Sequence, residues 1–544
     1  MLNTKPVEIV RQTRTIELLK GEEVLHLLDD VYFRDNWNEL YNKCAWKTPF
    51  QSYTFVSTWY RVYHKKALPL LVHSEVNGTL SGLLCLARDP HGEITGAGGN
   101  LAEYVTWLSP DASDESFIET ALQKVLTAFP KSKILLKYIP KETPLHFAKN
   151  NPEWTRRCIV REYQQPLMLI NDNQMNCEAD TRKKRERLNR LKRLGNLQFE
   201  RIQDHDTFMS VFDELASQFD FRKGALYNKL HFKSDPLRKT FLLKLFEQDL
   251  LHATVLKLND HIIASNVGVI GDKWLHLQGL NSHSPSYAKY SPGIVHFYLL
   301  AKLLAQEGIE VFDLTPGGDT YKDRLANDYT TAYHLTVGNK YYGSIARLKS
   351  KTKRFLEGAI FTRKVKKALR EAKDNITLKT KALITDKGGA KPAVKYWIIS
   401  KGIHHNPELV KFQQDNIRDL LHYDQQSNAP DRKQFLSDAM YRFQRGEHCY
   451  TWTENDILMG CAWFVVTKPS NAEIVSYSNS KQEFSFTGLY SHPKATDSSA
   501  AFLHSIVNSV SSMYKNKITA IDSFRNQFKK AGFEVIEMMN NHAN

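Results

Sequence analysis

The stretch YAKYSPGIVHFYLLAKLLAQEGIEVFDLTPGGDTYKDRLA, residues 287–326, decides the reading of this chain. Ser291 is placed to cap a helix, and Pro292 suits the first turn because the amide it lacks is not needed there. Gly293 lets a ligand approach the backbone. Apolar residues then recur at helical spacing. The free amides and positive dipole end of such a helix attract anions, with Lys289 adding charge. A strand from Ile309 to Leu314 carries Asp313 near its end, and a Pro316-Gly317-Gly318 turn leads to Asp319, Tyr321 and Lys322. A carboxylate there, under an open glycine turn, is placed to act as general base for an amine or hydroxyl. On these residues alone plain alternatives stay open. The helix is then an ordinary capped one, Asp313 bonds turn amides, and Lys322 is a surface charge.

Working outward, strand patterns alternate with helical ones, which predicts mixed α/β sheets. Asn77-Gly78, Asn259-Asp260 and Gly271-Asp272 lie between strand-like runs, as hairpin turns do. Residues 178–195 read as a basic helix stopped at Gly195. Residues 374–393 are polar, with Gly-Gly and Pro, and read as a linker. The expected divisions are 1–177, 178–346, a basic amphipathic helix and linker over 347–393, and a third α/β unit over 394–544.

A chain of 544 residues with 42% hydrophobic and 11% aromatic residues can bury several cores. Its six cysteines form no C-x-x-C pair, so neither a disulfide framework nor a zinc ribbon is readable, and His404-His405 lacks a third ligand. No metal is expected. The N-terminus has no continuous apolar core, and the longest apolar run, Ile457 to Val466, is far short of a membrane span. The expectation is a soluble, cytoplasmic protein. The net charge of +15 is localised: residues 181–193 carry +7 and residues 347–373 carry +9, leaving the remainder near neutral. A peripheral contact of 347–373 with an anionic membrane is the expected use of that charge, ahead of nucleic acid.

The ordered set Ser291, Pro292, Gly293, Phe312, Asp313, Gly318, Tyr321 and Lys322 resembles the acetyltransferase family of cellulose and exopolysaccharide biosynthesis clusters. CAWKTPFQSYTFVSTWY (44–60) and the basic helix before Gly195 add to the resemblance, which spans roughly residues 30–345. It implies tandem GNAT-like units, two of them forming one body, with an acyl-CoA such as acetyl-CoA between strands near 273–280 and 309–314. The implied reaction is direct acyl transfer to an amine or hydroxyl of a sugar or polysaccharide precursor, and the resemblance makes a polysaccharide synthase an expected partner of 347–373. On that reading Asp313 is base or acceptor orienter, and Lys322 and Tyr321 contact the acceptor, as do Asp319 and Gly318. Lys289, Ser291, Pro292 and Gly293 hold the cofactor phosphates.

The third unit also looks GNAT-like. Asp497 and Ser499 stand where that fold's phosphate loop has glycines, and Phe528 replaces a tyrosine, so it is expected to have lost acyl transfer. Two other readings remain. One is a Fem-like peptidyltransferase using aminoacyl-tRNA, and the other is a non-catalytic adaptor on a membrane surface.

Overall fold

Three β-hairpins turn on an asparagine of positive φ: Asn77 (52°), Asn259 (48°) and Asn455 (47°), each followed by a second left-handed residue, Gly78, Asp260 or Asp456. Two successive left-handed residues give a turn whose twist matches that of the flanking strands, and asparagine is among the few side chains that tolerate the conformation. The three hairpins hold the same place in three copies of one topology.

The computed structural model describes residues 14–170, 178–277, 280–348, 395–399, 410–427, 429–467, 483–495, 498–514, 518–521 and 524–537. The basic stretch beyond Leu348, the linker, His404-His405 and Asp497 lie outside the described residues. The chain divides into two units: residues 1–212, 235–281 and 293–361, and residues 213–234, 282–292 and 362–544. Strands from either side of the expected boundary at 177/178 belong to one sheet.

The strands of the first unit begin with β1 (Arg14–Lys20), β2 (Leu68–Val76), β3 (Thr79–Arg88), β4 (Ile94–Gly96), β5 (Ile134–Pro140) and β6 (Cys158–Leu169). They continue with β7 (Leu197–Ile202), β8 (Leu251–Leu258), β9 (His261–Gly271) and β10 (Trp274–Leu277). A two-residue strand, β11 (Ser282–His283), falls in the second unit, and β12 (Val311–Asp313) and β13 (Asp328–Val337) complete the first. The order across the sheet is β1-β2-β3-β4-β5-β13-β6-β12-β10-β9-β8-β7.

That order is a repeat. In the first copy β1 pairs with the β2–β3 hairpin, β4 follows, and helix Ser116–Ala128 crosses to β5, parallel to β4. In the second, β7 pairs with β8 of the β8–β9 hairpin, β10 follows, and helix Pro292–Gln306 crosses to β12, parallel to β10. The β9–β10 turn uses Asp272 and Lys273 (φ 48° and 63°), one residue later than expected. The copies exchange their last strands. β13 pairs with β5 and β6 with β12, while β6 and β13 pair with each other from Asp328↔Leu167 to Val337↔Cys158.

The second unit repeats the scheme with β14 (Lys395–Ile399), β15 (Gln413–Gln414), β16 (His448–Glu454), β17 (Ile457–Thr467), β18 (Glu483–Ser491), β19 (Ile518–Ile521) and β20 (Glu534–Glu537). Their order is β15-β16-β17-β18-β19-β14-β20, and helix Ser499–Tyr514 joins the parallel pair β18 and β19. Phe464, Phe486, Phe502, Ile506 and Phe528 fill its core.

Leu335 is wholly buried on β13, opposite Val160 of β6 and Leu136 of β5. Truncating it leaves a cavity where the two copies join. Leu335→Ala is expected to lower unfolding stability by about 2–5 kcal/mol, read as a shift in the urea midpoint.

Candidate active site

Period-two alternation sorts the side chains of the middle copy's parallel pair. Leu275, Leu277, Phe312 and Leu314 are buried in one cluster with Phe297, Leu300 and Leu304 of helix Pro292–Gln306. His276 and Asp313, alternating with them, take the opposite face. The two are register partners, and the parallel pairing ends on them. In a β–α–β crossover the helix begins at the carboxyl edge of the first strand, which is the edge that His276 and Asp313 occupy.

Asp313 is fully buried. Its Oδ2 accepts from His276 Nδ1 at 2.8 Å, and its Oδ1 accepts from the amide of Thr315 at 2.8 Å. With Nδ1–H given to the carboxylate, the lone pair of the neutral imidazole resides on Nε2. The imidazole is framed by Phe50 (5.5 Å between ring centroids), Tyr104 (5.5 Å) and Trp274 (5.9 Å, stacked). It forms part of the wall of a cleft of about 680 Å³, whose lining also includes Trp46, Lys47, Tyr104, Asp272 and Trp274. The first copy supplies Trp46, Lys47 and Tyr104, and the second supplies His276 and Trp274.

Thr315 has φ 59°, a left-handed conformation that a β-branched residue adopts only under constraint, at a cost of about 1–3 kcal/mol. The constraint comes from both sides. Its amide is held by Asp313, and the buried Lys322 ammonium donates to its carbonyl (3.0 Å) and its hydroxyl (3.1 Å). Gly317, having no Cβ, lets that ammonium pass within 3.2 Å of where one would stand.

Of the residues singled out in the sequence, Asp313 and Lys322 meet through Thr315. Asp313 both bonds a turn amide and orients a histidine, and it is closed from solvent with both oxygens engaged. Lys322 shapes the turn. Tyr321 stacks on Phe297 (6.1 Å, 4° between planes) and packs against the helix core, on the face away from His276. Gly318 and Asp319 are exposed on the turn. Gly293, the second residue of the helix, falls in the first unit, and Lys289, Ser291 and Pro292 fall in the second. Lys289 is exposed with its ammonium over the Tyr290 ring (5.1 Å). Ser291 is left-handed (φ 56°, ψ 50°), unlike the extended backbone of an ordinary N-cap. Sequence reasoning missed His276 and Tyr104. WLHL does carry the alternation that turns His276 away from the helix.

Among the described residues the other copies show no such pair at this position. The last parallel partners are Thr95 and Leu135 in the first and Phe486 and Ala520 in the third. Phe528 is wholly buried against Phe486 (4.9 Å). Ser499 is tied to Ser491 Oγ at 2.6 Å and to the Ala495 carbonyl at 2.7 Å.

Residues 179–323 match the family model of the acetyltransferase (GNAT) domain. A GNAT-fold domain therefore occupies the middle copy, and the match ends just past Lys322. No curated protein matches the chain. Solved structures with similarity include FemX (11% identity, 58% of this chain and 98% of that chain, TM-score 0.40). Another is the C-terminal domain of a putative lysylphosphatidylglycerol synthetase from Agrobacterium fabrum (12%, 58% and 95%, TM-score 0.39). A third is a tandem GNAT protein from the clavulanic acid biosynthesis pathway (10%, 60% and 98%, TM-score 0.37). Likeness at this level says nothing of donor or acceptor. Among the described residues no helix is long and apolar enough to cross a membrane.

The crossover helix is anchored by buried histidines. His296 Nε2 meets Thr254 Oγ1 at 3.1 Å, and His252 Nε2 meets Glu307 at 2.8 Å. Burial pushes His296 down to about 3 and His252 to about 4. His283 and His334 are likewise lowered to about 4 by burial, while a hydrogen bond to Asp415 raises His448. A histidine kept neutral in the fold is protonated in the unfolded chain below about pH 6.5, so the unfolded state gains protons first as pH falls. The stability held above pH 6.5 is then lost between 6.5 and about 4, and the four depressed groups outweigh His448, whose contribution has the opposite sign. The urea midpoint is expected to fall steadily from pH 7 to pH 5, above the range where most carboxylates titrate; a flat profile contradicts this account.

Proposed function

We propose that this protein is an acyltransferase that moves an acyl group from a coenzyme A thioester to a hydroxyl or amine, with His276 as general base and Asp313 as its orienting carboxylate. The observation that carries this reading is the buried His276–Asp313 pair, set on a cleft wall inside the stretch that matches the acetyltransferase domain. The donor's anionic end is assigned to the amino end of helix Pro292–Gln306, where unpaired amides and the helix dipole favour phosphate and Gly293 leaves the backbone approachable.

The chemistry follows from the groups present. The acceptor's oxygen or nitrogen attacks the thioester carbonyl while its proton passes to His276 Nε2. The new C–O or C–N bond forms as the C–S bond breaks. The thiolate leaves as the free coenzyme, taking up a proton directly or by way of His276. Asp313 keeps Nδ1 protonated and stabilises the transient imidazolium, as an orienting carboxylate does in related dyads and triads. The preferred acceptor is a sugar or polysaccharide precursor of the cell surface. Supporting that preference, Trp46 and Trp274 stand on a cleft that also carries Lys47 and Asp272, a combination of flat aromatic and hydrogen-bonding groups suited to a polyhydroxyl ligand.

Acetyl-CoA is expected to raise the protein's melting temperature, with aminoacyl-tRNA having no effect. Asp313→Asn places an amide against His276 and favours the wrong tautomer. With acetyl-CoA and a panel of amino and neutral sugars, it and His276→Gln are each expected to reduce turnover by about 10²–10⁴-fold while acetyl-CoA still protects against heat. Full activity in either variant removes the dyad from the reaction.

A further inference from the structure

We propose that the outer face of residues 341–348, at the far end of β13 from the cleft, docks the protein on an anionic phospholipid membrane. β13 runs from Asp328, on the cleft, to Val337, about 30 Å along its length. Beyond it a helix covers 342–348, and the Ile345 amide bonds the Tyr341 carbonyl (3.0 Å), which brings Tyr341 into the first turn. Three large apolar side chains stand in solvent there: Tyr341 is 55% exposed, Ile345 50% and Leu348 67%. They recur at i, i+4 and i+7, so they form one stripe along one side of the helix.

The opposite side holds this helix to the sheet. Val337, just before it, pairs with Ile134 of β5 and Cys158 of β6. Gly343 is buried, and a Cβ there would stand 2.6 Å from the Cys158 carbonyl and 2.9 Å from that of Arg156, so the helix backbone lies directly on residues 156–158. The Tyr342 ring occupies the space that a Cβ at Gly338 would need. The Arg347 guanidinium donates to the carbonyls of Cys158 (3.1 Å) and Thr155. With Tyr342, Gly343 and Arg347 committed to the body, the helix cannot roll, and Tyr341, Ile345 and Leu348 stay outermost. Single exposed apolar residues are ordinary, but a stripe fixed outward calls for a partner.

Charge identifies that partner. Lys340 lies over the Tyr341 ring (5.9 Å) and Lys133 over the Tyr342 ring (5.1 Å). Rings and carbonyls are neutral, so Lys133, Lys340 and Arg347 keep their positive charge, and Arg156 is exposed beside Gly343. Glu153, the carboxylate of the neighbouring segment, is ion-paired to Arg157 at 3.0 Å. The sequence continues in the same sign, with +9 over residues 347–373. A narrow apolar stripe between cations is the make-up of a helix that lies in a lipid interface: the apolar side chains enter the acyl boundary while Lys and Arg meet lipid phosphates. Tyrosine favours that depth. The cleft lies at the other end of β13, so the docking face and the cleft are separate surfaces.

This inference does not depend on the reaction assigned above. Full-length protein is expected to float with vesicles of phosphatidylglycerol mixed with phosphatidylcholine, and to stay behind with phosphatidylcholine alone. Ile345→Glu combined with Leu348→Glu is expected to weaken vesicle binding by about tenfold or more, and Lys340→Gln by about fivefold at low salt. Val31→Glu with Tyr32→Glu, a pair of exposed apolar positions on another helix, is expected to leave binding unchanged. All these side chains are exposed, and an unchanged melting temperature verifies that each variant folds. Failure of the wild-type protein to float, binding that survives the paired glutamates, or equal binding to vesicles without anionic lipid overturns the proposal. So does a stripe substitution that changes the sedimentation of vesicle-free protein, which would assign the stripe to contact between copies of this chain.

Discussion

The antiparallel pairing of β6 with β13 is the constraint on which the rest of the first unit depends. β12, which carries Asp313, is only three residues long and has little stability of its own. It is held on one side by β10 and on the other by β6, where Leu167 faces Asp313 in register. Backbone bonds from Ile170 to Glu310 (2.8 Å) and from Leu314 to Pro166 (3.1 Å) close both ends of that contact. Because β6 belongs in sequence to the first copy and β13 follows the second, neither copy has a complete sheet without the other. The cleft at His276 inherits this sharing, with one wall from each copy.

Within that frame the costly element is a buried carboxylate. A charge removed from water is tolerated only when it is paired and hydrogen-bonded. Asp313 meets this through a histidine and an amide, and the amide is presented by a strained threonine that Lys322 holds in place. The line Lys322–Thr315–Asp313–His276 thus runs from a short helix to the cleft through groups that each fix the next. The same topology occurs three times, yet the corresponding last parallel pairs elsewhere are Thr95 with Leu135 and Phe486 with Ala520. Among the described residues, the middle copy places a histidine and an aspartate at this position.

Much of this was legible in the sequence. Asn77-Gly78 and Asn259-Asp260 announced their hairpins because left-handed backbone restricts residue choice. Ser291-Pro292-Gly293 and the VFDL strand located the crossover helix and its parallel strand. The exchange of β6 and β13 was not legible, since nothing local in residues 158–169 names 328–337 as a partner. His276 was hidden for a related reason: a single histidine in WLHL means little until the register sets it opposite Asp313. Tyr321 was legible in part. Its place in a recurring motif suggests chemistry, and its ring packs on Phe297 against the helix core. Tyr104 lies in an irregular segment where no periodicity marks a side chain as inward.

The exchanged strand also imposes an order on synthesis. Ile139 of β5 finds its partner at Tyr333 of β13, almost two hundred residues later. At ribosomal rates of 5–20 residues per second, the edge of β5 stays open for about 10–40 s after it emerges. An unpaired strand edge invites the wrong neighbour, and charge or proline along it is the usual defence. β5 carries Lys137 within it and Pro140 at its end. The residues that blunt an open edge thus sit on the strand that waits longest for its neighbour.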